Sequence, residues 1–238
     1  MEHDPKIRYE YDIDIFLELM ESFVNKIEKT VLDEIKEFEK KKGNIQTINK
    51  HPDLDYYMIS NYYKNLDMDF YWESIFTETF PTRERSAGLI TLFGWFEFHL
   101  NRLCILCEKH KKVKISYQDI NGKGIDRAIK YLEKVIELEI PKNTQNRENI
   151  QIIKKIRNAF IHNDWEIIEG KEKEIMAFIK KQPSYISIKN KRITINNWFL
   201  KYTLETFNIF FEGIEKNNGF LDAFLEDISR THTFWQKN

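Results

Sequence analysis

Apolar residues at Ile13, Phe16, Leu17, Met20, Phe23, Val24, Ile27, Val31, Ile35 and Phe38 recur at three- and four-residue steps, with Glu and Lys filling the gaps. That spacing predicts a long amphipathic helix, or two in series, over 12–42, ended by Lys40-Lys41-Lys42-Gly43-Asn44. From Ile45 to Pro81 the periodicity loosens into a connection of short elements broken at His51-Pro52. A second long helix is expected from Thr82 or Arg83 to about Lys109, with Leu89, Leu92, Phe93, Phe96, Leu100, Leu103 and Leu106 as its buried stripe. The Gly122-Lys123-Gly124 turn leads to a helix over Ile125 to Leu138, which Pro141 ends. The chain restarts near Asn146 in a helix whose stripe is Ile152, Ile153, Ile156, Phe160 and Ile161. Asn163-Asp164 predicts its stop, because Asn tolerates the left-handed backbone of a helix C-cap. Beyond it lie a helix over 171–181 and a hairpin alternating from Tyr185 to Ile195 with its turn at Lys189-Asn190-Lys191-Arg192. A closing helix runs from Phe199 to Phe211.

With 238 residues, 42% of them hydrophobic, the chain can bury a substantial core. Only 8 Gly and 5 Pro interrupt it, against 18 Phe and 11 Tyr, so long helices are favoured over a turn-rich β architecture and the fold class is mainly α. The formal charge of -1 excludes a globally basic nucleic-acid coat, so any RNA contact has to come from a local patch. No uninterrupted apolar run or signal pattern points to a membrane, and two cysteines are too few for a disulfide scaffold; a cytoplasmic protein is expected.

The groups with the most chemical content sit at the end of the helix before Asn163. Arg157, Asn158 and His162 bring together a fixed cation, an amide and an imidazole, the side chain that ordinarily exchanges protons near neutrality. At about 100° per residue, Asn158 and His162 lie roughly 40° apart on one face, while Arg157 and His162 are about 140° apart. Only the long arginine stem could bring the guanidinium back towards the imidazole. A capped helix end, with Arg157 on a surface carboxylate, is the plainer explanation of the same triplet.

Arg157-Asn158, three residues, then His162 resembles the Arg-Asn-x-x-x-His signature of the HEPN superfamily, helical domains that include bacterial toxin and phage-defence ribonucleases. The likeness extends over about the last two-thirds of the chain. Arg85 to Ile90, Leu92 to Glu97 and Leu100 to Cys104 resemble the glutamate-bearing helix of such domains, and the hairpin at 185–195 with the helix after it resembles their tail. The resemblance implies a HEPN-like helical bundle over 82–238 with a small β-hairpin after the motif helix, preceded by an N-terminal helical extension over 1–81. It also implies a dimeric active site, an RNA substrate, and an antitoxin or regulatory partner.

Metal-independent RNA cleavage needs a base for the 2′-hydroxyl proton, an acid for the leaving 5′-oxygen and positive charge on the phosphate oxygens. One Arg and one His do not fill all three roles, whereas a two-fold homodimer presents each residue twice. His162 would then serve as base, its symmetry mate or a water as acid, and the Arg157 pair as phosphate clamp, giving a 2′,3′-cyclic phosphate and a 5′-hydroxyl. Asn158 would orient the imidazole or bind phosphate or ribose. Glu97 is able to hold Arg157 or His162 in place, though it could equally be a surface partner of Arg102 or Arg85, and Asp164 could pair with Arg157, though helix termination also explains it. The rival to catalysis is a non-catalytic helical module that senses RNA or nucleotide or binds a partner.

No metal or cofactor is expected. Cys104-Ile105-Leu106-Cys107 lacks the second cysteine pair of a structural zinc site and reads as two small hydrophobes on a helix. The run Lys109 to Lys114 reads as a solvated helix end, with Lys111, Lys112, Lys114 and also Arg102 as candidate RNA contacts if they share a side with His162. Trp165 could stack on a base or anchor two helices.

Overall fold

The computed structural model describes residues 13–42, 74–140, 144–167 and 172–217. Among these residues the protein is mainly helical, with one two-stranded antiparallel sheet. The helices are α1 (Ile13–Lys42), α2 (Phe80–Lys111), α3 (Gly124–Lys134), α4 (Thr144–His162), α5 (Glu172–Lys181) and α6 (Phe199–Asn217). Strands β1 (Ile186–Lys189) and β2 (Arg192–Ile195) lie between α5 and α6.

Helix α2 is the axis of the molecule because its apolar stripe is long enough to meet every other long helix. Leu89, Leu92, Phe93, Phe96, Leu100, Cys104 and Cys107 are all buried. Phe96 stacks on Phe207 of α6 at 4.1 Å and meets Phe210 and Phe211 edge-on, so α6 runs alongside α2. Helix α1 runs the opposite way: Phe16 packs on Trp95 and His99, and Glu28 binds Arg85. Met20 and Val24 of α1 belong to the same core as α2, α4 and α6. Gly88 permits this crowding, since a Cβ there would lie 2.7 Å from Ile27 and 2.9 Å from Leu200.

Helix α4 is antiparallel to α2, with Arg157 over the Phe93 ring and Asp164, just past the helix, bound to Arg83. Helix α3 starts beside Glu97 and follows the C-terminal half of α2, where Cys104 donates to the Ala128 carbonyl and Lys111 to that of Ile136. The hairpin closes as the sequence predicts. Lys189 pairs with Arg192, and Asn190 and Lys191 both adopt positive φ (51° and 66°), the geometry of a two-residue turn whose twist matches its strands.

Several boundaries differ from expectation for physical reasons. One π-helical turn, Ile75–Thr79, feeds α2 before Thr82, and Pro81 sits in the first turn, where its missing N–H is not needed. Residues 43–73, with His51-Pro52, and Pro141 lie outside the described residues. Helix α3 stops at Lys134 instead of Leu138, because Ile136, Leu138 and Ile140 are buried while Glu137 and Glu139 are exposed. That period of two belongs to extended chain, and Glu137 at φ 58° marks the bend into it. Helix α4 begins at Thr144, and α6 continues past Phe211 to Asn217. By length and composition alone, the helical segment 75–109 is apolar enough to cross a bilayer, although charged residues such as Glu97 and Arg102 interrupt it, so it is not the uninterrupted apolar run whose absence the sequence shows. Its stripe from Leu89 to Cys107 faces the protein core.

Candidate active site at the end of helix α4

Helix α4 keeps its hydrogen bonding through Asn163, whose N–H donates to the Ala159 carbonyl at 3.0 Å. The chain then turns through Asp164 (φ 43°) and Trp165 (φ 71°), so the left-handed residues are these two and not Asn163. The turn is held from outside. Ile193 N–H donates to the Trp165 carbonyl and Ile167 N–H to that of Lys191, which lays 165–167 against β2.

Arginine side chains lock the same turn. The Arg83 guanidinium lies 3.8 Å from the centre of the Trp165 ring and donates to Asp164 Oδ1 at 3.0 Å. Arg192 approaches Asp164 at 3.7 Å and Glu166 at 3.6 Å. Asp164 therefore pairs with Arg83 and Arg192, correcting the expected pairing with Arg157. Trp165 is buried with a cation already on its face, which favours the anchor of the two expected roles over stacking on a base.

The site itself follows the helical wheel. Asn158 and His162 line one groove of about 690 Å³ between α4 and α5, together with Gln151, Lys154, Lys155 and Lys173. His162 is exposed, and among the described residues its imidazole makes no hydrogen bond. Arg157 does not line this groove. Its guanidinium lies 5.4 Å from the centre of the Phe93 ring and donates from Nη1 to Asn158 Oδ1 at 2.9 Å, while its buried Nε has no hydrogen-bond partner among the described residues. Asn158 is thus oriented by Arg157; of its two expected roles, orienting the imidazole or binding phosphate or ribose, no hydrogen bond to His162 supports the first among the described residues. The Asn158 oxygen is engaged, and among the described residues its amide N–H groups make no hydrogen bond.

Other expected contributors stand elsewhere. Glu97 makes no ion pair or hydrogen bond with Arg157 or His162 among the described residues; its carboxylate faces Gly124, whose Cβ would sit 3.1 Å from Oε1. A negative group suits that place, the positive end of the α3 dipole. Nor is Arg85 its partner, since Arg85 is committed to Glu28. Arg102 lies beside His99, whose imidazole is pushed down to about 4 by burial first and the Arg102 charge second.

The basic run is at the wrong end of α2. Arg83, near the start of α2, touches the end of α4, whereas Lys111 ends α2, on the order of 40 Å away at 1.5 Å per residue. Lys111, Lys112 and Lys114 consequently do not share a side with His162 within one copy. The cations that do were missed in sequence: Lys154, Lys155 and Lys173. Gln151, Lys155, Asn158 and His162 recur at steps of four, three and four, and that polar stripe opposite Ile153, Ile156 and Phe160 was their signal.

Comparison with protein-family models, with curated proteins and with solved structures finds no match to this chain.

Proposed function

We propose that the protein is a metal-independent endoribonuclease of the HEPN type whose active site is completed by a second copy of the chain. The observation that carries this reading is the exposed His162 imidazole, uncommitted among the described residues, in an open groove beside an Asn158 amide that Arg157 holds in place. A groove-facing imidazole can take the 2′-hydroxyl proton of a bound ribonucleotide. The freed oxygen attacks the adjacent phosphorus, the bond to the 5′-oxygen breaks, and the products are a 2′,3′-cyclic phosphate and a 5′-hydroxyl. Protonation of the leaving oxygen requires a second acid. A two-fold partner supplies another His162, and the same symmetry presents Arg157 a second time. The toxin or phage-defence setting, and an antitoxin or regulatory partner, belong to this proposal through the resemblance alone.

One observation favours a second reading. Arg157 is directed to Phe93 and Asn158 and away from the groove, as in a non-catalytic module that binds RNA or nucleotide without cleaving it. Incubating RNA with wild type and with His162→Ala in excess chelator separates the two. The nuclease reading expects cleavage by wild type and none by the variant. Equal cleavage by both, or binding without cleavage by wild type, contradicts it.

A further inference from the structure

The groove beside His162 holds more cationic groups than proton transfer needs. Lys154 and Lys155 come from α4 and Lys173 from α5, and the line from Gln151 to His162 runs about 16 Å along the helix. Among the described residues no Phe, Tyr or Trp lines the groove and its one ring is the His162 imidazole, so it offers little for stacking a run of nucleobases, while charges and amides suit a phosphodiester backbone. Two of the lysines are held in place. Lys154 binds Asp126 and Lys155 binds Glu174, whereas Lys173 makes no ion pair among the described residues. Solvent-exposed pairs of this kind contribute about 1 kcal/mol or less, so a phosphate exchanges for the carboxylate at little cost. Glu166 also lines the groove, near His162, and is drawn towards Arg192 at 3.6 Å.

We propose that the α4–α5 groove is a track for the backbone of single-stranded RNA, in which Lys154, Lys155 and Lys173 bind successive phosphates and Asp126 and Glu174 are resident counter-ions that the phosphates displace. This deepens the nuclease reading and rests on it for the identity of the ligand as RNA. The track reads charge and spacing, not bases. Two consequences distinguish it from a set of structural ion pairs. Removing a lysine charge weakens RNA binding and flattens its salt dependence, since each phosphate contact on a single strand contributes a slope of about −0.7 in log K against log salt. Removing the Glu174 carboxylate does the reverse and tightens binding, because Lys155 loses its competitor.

The test is fluorescence anisotropy of a labelled mixed-sequence single-stranded oligoribonucleotide, titrated with the full chain carrying His162→Ala at several salt concentrations. Added Lys155→Gln and Lys173→Gln should each weaken binding and reduce the slope by about 0.7. Added Glu174→Gln should tighten it about two- to five-fold, the equivalent of one exposed ion pair. Thermal melts identify any variant that is misfolded, and Lys154→Gln replaces it in the series. Unchanged affinity and slope in the lysine variants, or no binding by the parent, overturns the track. Lysine-dependent binding by a protein whose wild type never cleaves RNA removes the nuclease reading and leaves the track standing. Cleavage by wild type with KM unmoved in the lysine variants does the opposite.

Discussion

Arg157 donates from Nη1 to the side-chain oxygen of Asn158, its neighbour in sequence, at 2.9 Å. The two therefore act as a unit, the guanidinium fixing an amide that lines the groove. Losing a donor that stabilises transition-state charge lowers rates on the order of 10²-fold. On the nuclease reading, Arg157→Ala and Asn158→Ala should each lower kcat by about that factor, and the double variant should be little worse than either, because partners in one contact are not additive. Steady-state kinetics on a defined RNA checks this. A double variant slower by the product of the two single effects contradicts the coupling.

Glu84 on α2 faces Glu34 on α1, and burial first, then the Glu34 carboxyl, pushes it up from the usual 4.5 to about 7, against a smaller opposing pull from Arg85. The folded state thus holds a proton that the unfolded chain has released. The stability from this group is full below about pH 4.5 and is lost as pH rises through about 7. Glu84→Gln should raise the melting temperature at pH 8 and leave it nearly unchanged at pH 4.5, as read by circular dichroism. A larger gain at the acidic pH contradicts the assignment.

Arg85 ties three elements together, donating twice to Glu28 Oε2 and once to Oε1 on α1, and to the Ile195 carbonyl on β2. The pair is largely buried, with side-chain exposures of 7% and 18%. Removing one member of such a pair strands the other charge, so Arg85→Ala should destabilise the protein by about 3 kcal/mol. Gly88→Val tests the same junction sterically, since even its Cβ meets Ile27 and Leu200 below 3 Å. A loss of about 1–3 kcal/mol is expected in urea unfolding.

Cys104 and Cys107 are fully buried in the core. Burial pushes both thiols up, Cys107 to about 11 and Cys104 further, although the Lys111 charge opposes the shift at Cys107. Neither supplies thiolate at neutral pH. Both should resist a chromophoric disulfide reagent in native buffer and react together once the protein unfolds. Rapid labelling of either in the native state contradicts their placement.

Much of the helical frame was legible because long helices with one buried stripe announce themselves. The α2 stripe from Leu89 to Leu100, the helical character of α1 and α5, and the Asn190-Lys191 turn follow directly from spacing and turn chemistry. The end of α3 was misjudged because Ile136, Leu138 and Ile140 satisfy a helical count as well as an extended one, and only the exposure of Glu137 and Glu139 separates them. At the site, the shared face of Asn158 and His162 came straight from the helical wheel. The partners of Asp164 did not. They are Arg83 and Arg192, 81 and 28 positions away in the chain, brought there by the antiparallel packing of α4 on α2 and by the strand pairing of 165–167 with β2. Local spacing carries no information about such contacts, and for the same reason Lys173 was missed while the clustered Lys109 to Lys114 drew attention to the far end of α2.

On the proposed reading, His162 cleaves RNA through the neighbouring 2′-hydroxyl, with no metal ion. Total cellular RNA incubated in excess chelator with wild type or His162→Ala, followed by mapping of the new ends, tests it most directly. Wild type should yield 2′,3′-cyclic phosphate and 5′-hydroxyl ends, and the variant none above background. The same ends at the same yield from both proteins, or ends carrying a 5′-phosphate, would contradict it.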